Sequence, residues 1–267
     1  MKANKGNMDS LKTAALAAAL LMGLFGCVSR TTYDASGDVV EEHVFDAVAA
    51  AKTRVQLGLT YLRSGDSAKA KMHLEKAEEF APKLPEVYFS QGYYYQTVGE
   101  MALAEQAYRK AVDLDDENGE ALNNFGAFLC RMGRYEESIT YFKKAVRAPG
   151  YIRVAGAYEN AGLCARMGDM AAEAEEYLSS ALSHDPKRAT SLLAMAELRF
   201  NRQDYGGAKG YLIRLQQVSQ PSPQSLFMAI RLAKQTGDKS GVEKYGEELL
   251  EKFPDSPLSQ RYRSNQF

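Results

Sequence analysis

A glycine-anchored pattern recurs along this chain every 34 residues, and that period limits the fold more than any other feature. It is seen in Leu57-Gly58-Leu59-Thr60-Tyr61, Gln91-Gly92-Tyr93-Tyr94-Tyr95, Phe125-Gly126-Ala127-Phe128-Leu129 and Ala161-Gly162-Leu163-Cys164-Ala165. The glycines stand 34, 34 and 36 residues apart, and Ala196 and Ile230 continue the series at steps of 34. Small residues follow each glycine at offsets 12 and 19: Ala70 and Ala77, Ala104 and Ala111, Ser138 and Ala145, Ala174 and Ala181. A large apolar residue lies between them: Leu74, Tyr108, Phe142 or Leu178. Gly65, Gly99, Gly133 and Gly237 fall where a helix ends, a place at which a residue without a side chain can take the left-handed conformation cheaply. Pro82, Pro186 and Pro254 close the first, fourth and sixth units at one shared position.

A unit of this length holds two antiparallel helices, which cannot bury both faces alone and must stack on the next pair. The signature resembles the tetratricopeptide repeat over roughly residues 48 to 256. That resemblance implies an all-α chain, a right-handed superhelix of six repeats at about 51–84, 85–118, 119–154, 155–188, 189–222 and 223–256, with 257–267 as a C-terminal tail. The departures carry information. Asp116 and Gly150 occupy the proline place, and Pro149-Gly150-Tyr151-Ile152 falls in a two-residue insertion before the fourth unit, where the stack is expected to bend or widen. Units five and six lack the glycine, Val218 to Pro223 makes a longer connection, and the sixth unit is expected to act as the cap.

The first 27 residues differ from all that follow. Lys2, Lys5 and Lys12 precede an apolar run from Thr13 to Gly26 that stops at Cys27, the order of a secretory signal. The run is short for a membrane span, which needs about 20 apolar residues. Leu24-Phe25-Gly26-Cys27 resembles a bacterial lipobox, although Phe25 is bulkier than the residue usual there. The resemblance implies cleavage after residue 26 and a lipid on Cys27, whose acyl chains at about 0.8 kcal/mol per buried methylene make a lasting tether. An ordinary cleaved signal or an uncleaved anchor is the alternative. Val28, in the second place of the mature chain, resembles an outer-membrane sorting signal. From there to residue 47 the sequence is polar and without an apolar period, as a flexible spacer would be.

A formal net charge of -1 gives no basic field for holding nucleic acid. His43, His73 and His184 show no metal-ligand spacing, and each reads as a surface histidine. No nucleophile elbow, phosphate loop or zinc-protease motif occurs, so no enzyme, cofactor or small-molecule substrate is expected.

What a helical array offers instead is a surface. In tetratricopeptide arrays the first helix of each pair lines the concave side, so the positions three before, two before, one after and four or five after the glycine become groove candidates. Repeats two to four supply Phe89, Tyr93, Gln96, Asn123, Asn124, Arg131, Glu159, Asn160 and Arg166. Amides and guanidinium groups can hydrogen-bond an extended backbone, and the aromatic rings add contact area. For Asn124 and Asn160 the alternative is satisfaction of groups between repeats, and for Arg131 and Arg166 plain solvation. Cys130 and Cys164 fall in the first helices of adjacent repeats. In an exported chain they can pair, or they can stand as two buried thiols.

The segments Ala121-Leu122-Asn123-Asn124-Phe125-Gly126-Ala127-Phe128-Leu129-Cys130 and Tyr158-Glu159-Asn160-Ala161-Gly162-Leu163-Cys164, with the lipobox and six repeats, resemble the type IV pilus biogenesis and stability lipoproteins of the PilF/PilW family. The resemblance implies a pilotin: a lipoprotein on the periplasmic face of the outer membrane of a Gram-negative bacterium that binds the pilus secretin and promotes its localisation and multimerisation. By resemblance, Cys27 carries the lipid and Cys130 and Cys164 bridge. The rival expectations are a scaffold lipoprotein of the beta-barrel assembly machinery and a regulator of a cell-wall enzyme.

Overall fold

The computed structural model describes residues 45–266, together with the backbone of 32–33 and 39–40. Cys27 and the apolar run before it lie outside the described residues. The chain divides into residues 1–46 and 47–267. In the first unit Thr32–Tyr33 pairs antiparallel with Val39–Val40, in the register Thr32 to Val40 and Tyr33 to Val39. The spacer expected to lack structure therefore contains a minimal hairpin. The two valines provide β-branched strand formers within the polar stretch.

The second unit is all helical, with thirteen helices among the described residues. Six pairs run α1 (Ala47–Arg63) and α2 (Ser67–Phe80), α3 (Pro85–Thr97) and α4 (Met101–Leu114), α5 (Gly119–Arg131) and α6 (Tyr135–Ala145), α7 (Val154–Met167) and α8 (Ala171–His184), α9 (Ala189–Asn201) and α10 (Tyr205–Val218), α11 (Pro223–Gln235) and α12 (Lys239–Lys252). A thirteenth, α13 (Pro257–Arg263), follows. The C-terminal tail thus carries a helix, and α13 rather than the sixth pair closes the stack. Its Ser259 is fully buried, and Leu258 and Tyr262 pack on Leu226, Phe227, Ile230 and Leu249.

Each turn inside a pair repeats the same local chemistry. Gly65, Gly99, Gly133 and Gly237 have φ between +73° and +87°, and Asp169 and Gln203 occupy the same turn place with φ of 57° and 62°. The next residue caps the second helix where it is Asp: Asp66, Asp204 and Asp238 accept hydrogen bonds from the backbone N–H of Lys69, Gly207 and Gly241 at 3.0, 2.8 and 2.8 Å.

Inside each pair the glycine meets the large residue 16 positions later. A methyl group on Gly92 would stand 2.8 Å from the ring of Tyr108, on Gly126 3.0 Å from Phe142, and on Gly162 2.6 Å from Leu178. The helices therefore cross at near-backbone distance, and the fully buried Ala70, Ala77, Ala104 and Ala111 allow it. The sixth pair inverts this arrangement. Ile230 stands at the glycine place, Gly246 at the large-residue place, and a methyl group on Gly246 would overlap the ring of Tyr262 from α13. The volume removed from α12 is filled by the ring of Tyr262.

The core runs the length of the stack but changes hands in the middle. One cluster extends from Ala51 to Leu129, with Ala145 and Ala157, and a second from Cys130 to Leu232. The exchange falls within the third pair, and in the insertion that follows Tyr151 packs against Gly119 while Ile152 is 92% exposed. Contrary to the surface reading of the histidines, His73 is 8% exposed. Its ring stacks on Tyr61 with centroids 5.3 Å apart, and its Nδ1 lies 3.2 Å from Arg54 Nη1. It sits on the inward side of α2, one residue before Leu74. His184 is exposed, and His43 lies outside the described residues.

Candidate functional site

Successive first helices lie against one another, α1 on α3, α3 on α5, α5 on α7 and onward. Residues at one offset from the pair glycine therefore form rows. At the offset one after glycine, Tyr93 is 43% exposed. Behind it Tyr108 is buried, which pushes its phenol far above the ordinary value, while the charge of nearby Arg131 opposes that shift and Tyr93 adds to it. Arg131 is exposed and makes no ion pair among the described residues. Gln96 and Asn124 are half-exposed on the same two helices, α3 and α5, and Phe89 packs part of its ring on the core. Tyr93, Gln96, Asn124 and Arg131 thus form a surface with free donors and an aromatic face.

The remaining candidates hold repeats together. Asn160 Nδ2 donates to Asn123 Oδ1 at 3.0 Å, joining α7 to α5. Glu159, expected in the groove, is 8% exposed. Its carboxylate accepts Arg188 Nη2 at 2.7 Å, Ser191 Oγ at 2.6 Å and Ser191 N at 3.1 Å. Burial pushes this carboxyl up, but the bonds from Arg188 and Ser191 outweigh burial and leave it below its ordinary value. The reason is positional: this offset on a first helix meets the next first helix, so Asn123 on α5 meets Asn160 of α7 and Glu159 on α7 meets the start of α9. Arg166 pairs with Glu197 of α9, and burial lowers its affinity for the proton.

Cys130 and Cys164 are joined as a disulfide with their Cα atoms 5.8 Å apart. The bond ties α5 to α7 across the inserted segment, and Cys164 Sγ lies 3.2 Å from Ser138 Oγ, whose hydroxyl donates to the carbonyl of Gly126 at 2.7 Å.

The inner face continues beyond the repeats read for groove residues. The same three offsets in the sixth pair are Phe227, Met228 and Arg231, and with Glu197, Leu258 and Arg261 they line a cleft of about 460 Å³. The offset rule itself, carried two repeats further, would have found the first three. The contribution of α13 had no repeat signal. Among the described residues no group of three or more His, Cys, Asp or Glu is placed to hold a metal, and no helix is long and apolar enough to cross a membrane.

Comparison with known proteins follows the same geometry. Tetratricopeptide-repeat family models match residues 51–84 and 85–118, 107–140 and 129–191. The type IV pilus assembly protein PilF of Pseudomonas aeruginosa is 32% identical over 252 residues, 94% of this chain and 98% of the relative. The solved structure of Pseudomonas aeruginosa PilF superposes with a TM-score of 0.73 at 32% identity, covering 82% of this chain and 99% of that one. The crystal structure of PilW, described as a widely conserved type IV pilus biogenesis factor, gives a TM-score of 0.72 at 27% identity over 79% and 96% of the two chains. Through that end-to-end likeness, an all-α superhelix of tetratricopeptide repeats with the PilF arrangement of helices, the chain belongs to the PilF/PilW family of type IV pilus biogenesis proteins.

Proposed function

We propose that the protein is a pilotin of the outer membrane. Cys27 carries the lipid, and the inner face of the repeats holds a segment of the pilus secretin while the acyl chains draw the complex to the membrane. It acts by binding and positioning, without turning over a substrate. The observation that carries this reading is the match to PilF across 98% of the relative's length. The surface around Tyr93 and Arg131 adds a place where an extended segment can lie, with backbone partners for Gln96 and Asn124. The half-exposed amides supply directional bonds, and Tyr93 supplies area at low entropic cost.

The test is deletion of the gene, complemented with the wild-type chain or with Cys27→Ala. The expected result is loss of heat- and detergent-resistant secretin multimers from outer-membrane fractions and loss of twitching, restored by the wild type alone. Intact multimers and motility, with disturbed barrel proteins or altered cell shape, would move the assignment to a barrel-assembly scaffold or a cell-wall regulator.

A further inference from the structure

The turns inside the helix pairs stand in line along one edge of the array, and in the second, third and fourth pairs they are apolar. Two places carry the difference, six and nine residues after the pair glycine: Val98 and Met101 in the second pair, Met132 and Tyr135 in the third. In the fourth pair Met167 and Met170 stand one residue earlier than each of these places. The same two places hold Ser64 and Ser67 in the first pair, Arg202 and Tyr205 in the fifth, and Thr236 and Lys239 in the sixth. Val98, Met101, Met132 and Met167 are each between 39% and 57% exposed. The turns also touch. A methyl group on Gly168, which caps α7, would stand 2.9 Å from the ring of Tyr135, so the side chain nine places after one glycine lies over the cap six places after the next. One repeat earlier, the same relation pairs Met101 with Met132, the cap of α5. Single exposed apolar side chains are ordinary, but a contiguous row of them marks a surface that something covers.

Size, form and charge limit what covers it. Four side chains, each about half-exposed, fall far short of the about 800 Å² per partner that a stable protein interface buries. The row runs along an outer edge on the tips of turns, so it meets a plane more readily than a convex partner. Among the turn residues Arg131 and Arg134 are balanced by Glu100 and Asp169, which leaves no net charge to select a charged partner. Three of the four side chains with the largest exposure in the row are flexible or unbranched thioethers, which adapt to a fluid surface without a fixed complementary shape. The opposite edge, where successive pairs are joined, exposes Asp115, Asp116 and Glu117 together and suits water instead.

We propose that this edge lies on a phospholipid bilayer, with Val98, Met101, Met132 and Met167 dipped into the boundary between headgroups and acyl chains. The proposal rests on the pilotin reading for one element, the lipid on Cys27. A chain already tethered needs only a weak contact, because the tether supplies the local concentration. The consequence is orientation. With the turns on the membrane, the helices of the array stand upright on it, and the inner face around Tyr93 and Arg131 opens along the membrane plane.

The chain contains no tryptophan, so a single introduced one reports its own surroundings. The experiment reconstitutes the full lipidated chain, carrying Met132→Trp, Met101→Trp or the outer-helix control Thr140→Trp, into vesicles of phosphatidylethanolamine and phosphatidylglycerol, with and without brominated acyl chains. Flotation of the vesicles checks the tether. The expected result at 132 and 101 is emission at shorter wavelength and quenching of at least about twofold by brominated lipid, the response of a side chain about 5–10 Å into the boundary. Position 140 should show neither. Adding Met101→Asp and Met167→Asp to Met132→Trp, at unchanged melting temperature, should return the emission to that of position 140 while the chain still floats. A floating chain whose tryptophans at 132 and 101 keep water-exposed emission would overturn the proposal, and so would equal quenching at 140. A shift at 132 in native membranes without quenching by brominated lipid would assign the edge to a protein and overturn it as well. A chain that does not float carries no lipid. That result removes the tether, and with it both this proposal and the pilotin reading, and flotation alone tells it from the other failures.

Discussion

At the scale of single residues, the turn series offers a direct test of backbone physics. Gln203 takes φ of 62° at a place where glycine stands in four other repeats. A side chain in the left-handed region costs roughly 1 kcal/mol, so Gln203→Gly should raise stability by about 0.5–1 kcal/mol in urea unfolding, against the usual entropic cost of glycine. Gly65→Ala should lower it by a similar amount. Glu159 gives a test of the opposite kind. Replacing it with Ala strands Arg188 and Ser191 and should cost about 1–3 kcal/mol. Its carboxyl is held below the ordinary value of 4.5. The folded chain therefore binds fewer protons there than the unfolded chain, and the stabilisation is full above pH about 4.5 and fades as pH falls below it. A chain carrying Glu159→Gln should lose stability less steeply across that window, and equal slopes would show that Glu159 is not the group concerned. None of this was legible in the sequence at Glu159, because the offset that marks a groove residue also marks a residue next to the following helix pair, as the Asn123–Asn160 and Glu159–Arg188 bonds both show.

At the scale of helices, the glycine and large-residue pairing was readable from spacing alone, since a period of 34 with small residues at fixed offsets admits few other packings. The closing of the stack was not. A seven-residue helix after a proline carries no repeat signature, and Ile230 at the glycine place looked like decay of the pattern rather than its inversion. The exchange among Ile230, Gly246 and Tyr262 makes a prediction. Gly246→Ala should destabilise by about 1–3 kcal/mol through overpacking, and Tyr262→Ala should also destabilise. Combined, they should cost less than their sum by more than about 0.5 kcal/mol in a double-mutant cycle. Strict additivity would mean that α13 does not fill that space. His73 was missed for a similar reason: a lone histidine beside an apolar position reads as surface until its stacking partner, Tyr61, is brought next to it by the pairing of α1 and α2.

At the scale of the whole molecule, stability is a sum over neighbouring pairs, so the weakest junction matters most. One such junction lies where the two core clusters meet, and the Cys130–Cys164 bond spans it. A bridge with a sequence separation of 34 stabilises by about 3–4 kcal/mol in the chain-entropy model. Reductant should lower the urea midpoint correspondingly, and should leave a double variant with both cysteines changed to alanine unaffected. Equal midpoints with and without reductant in the wild type would show that the bond adds nothing.

The protein's action is argued to reside on the inner face, and placement of a photo-crosslinking residue tests that directly in cells. With the crosslinker at Arg131, on α5, ultraviolet light should join the chain to the secretin; at Thr140, exposed on the outer helix α6, it should not. A secretin adduct from position 140 with none from 131, or adducts from 131 to some other envelope protein alone, would contradict the account.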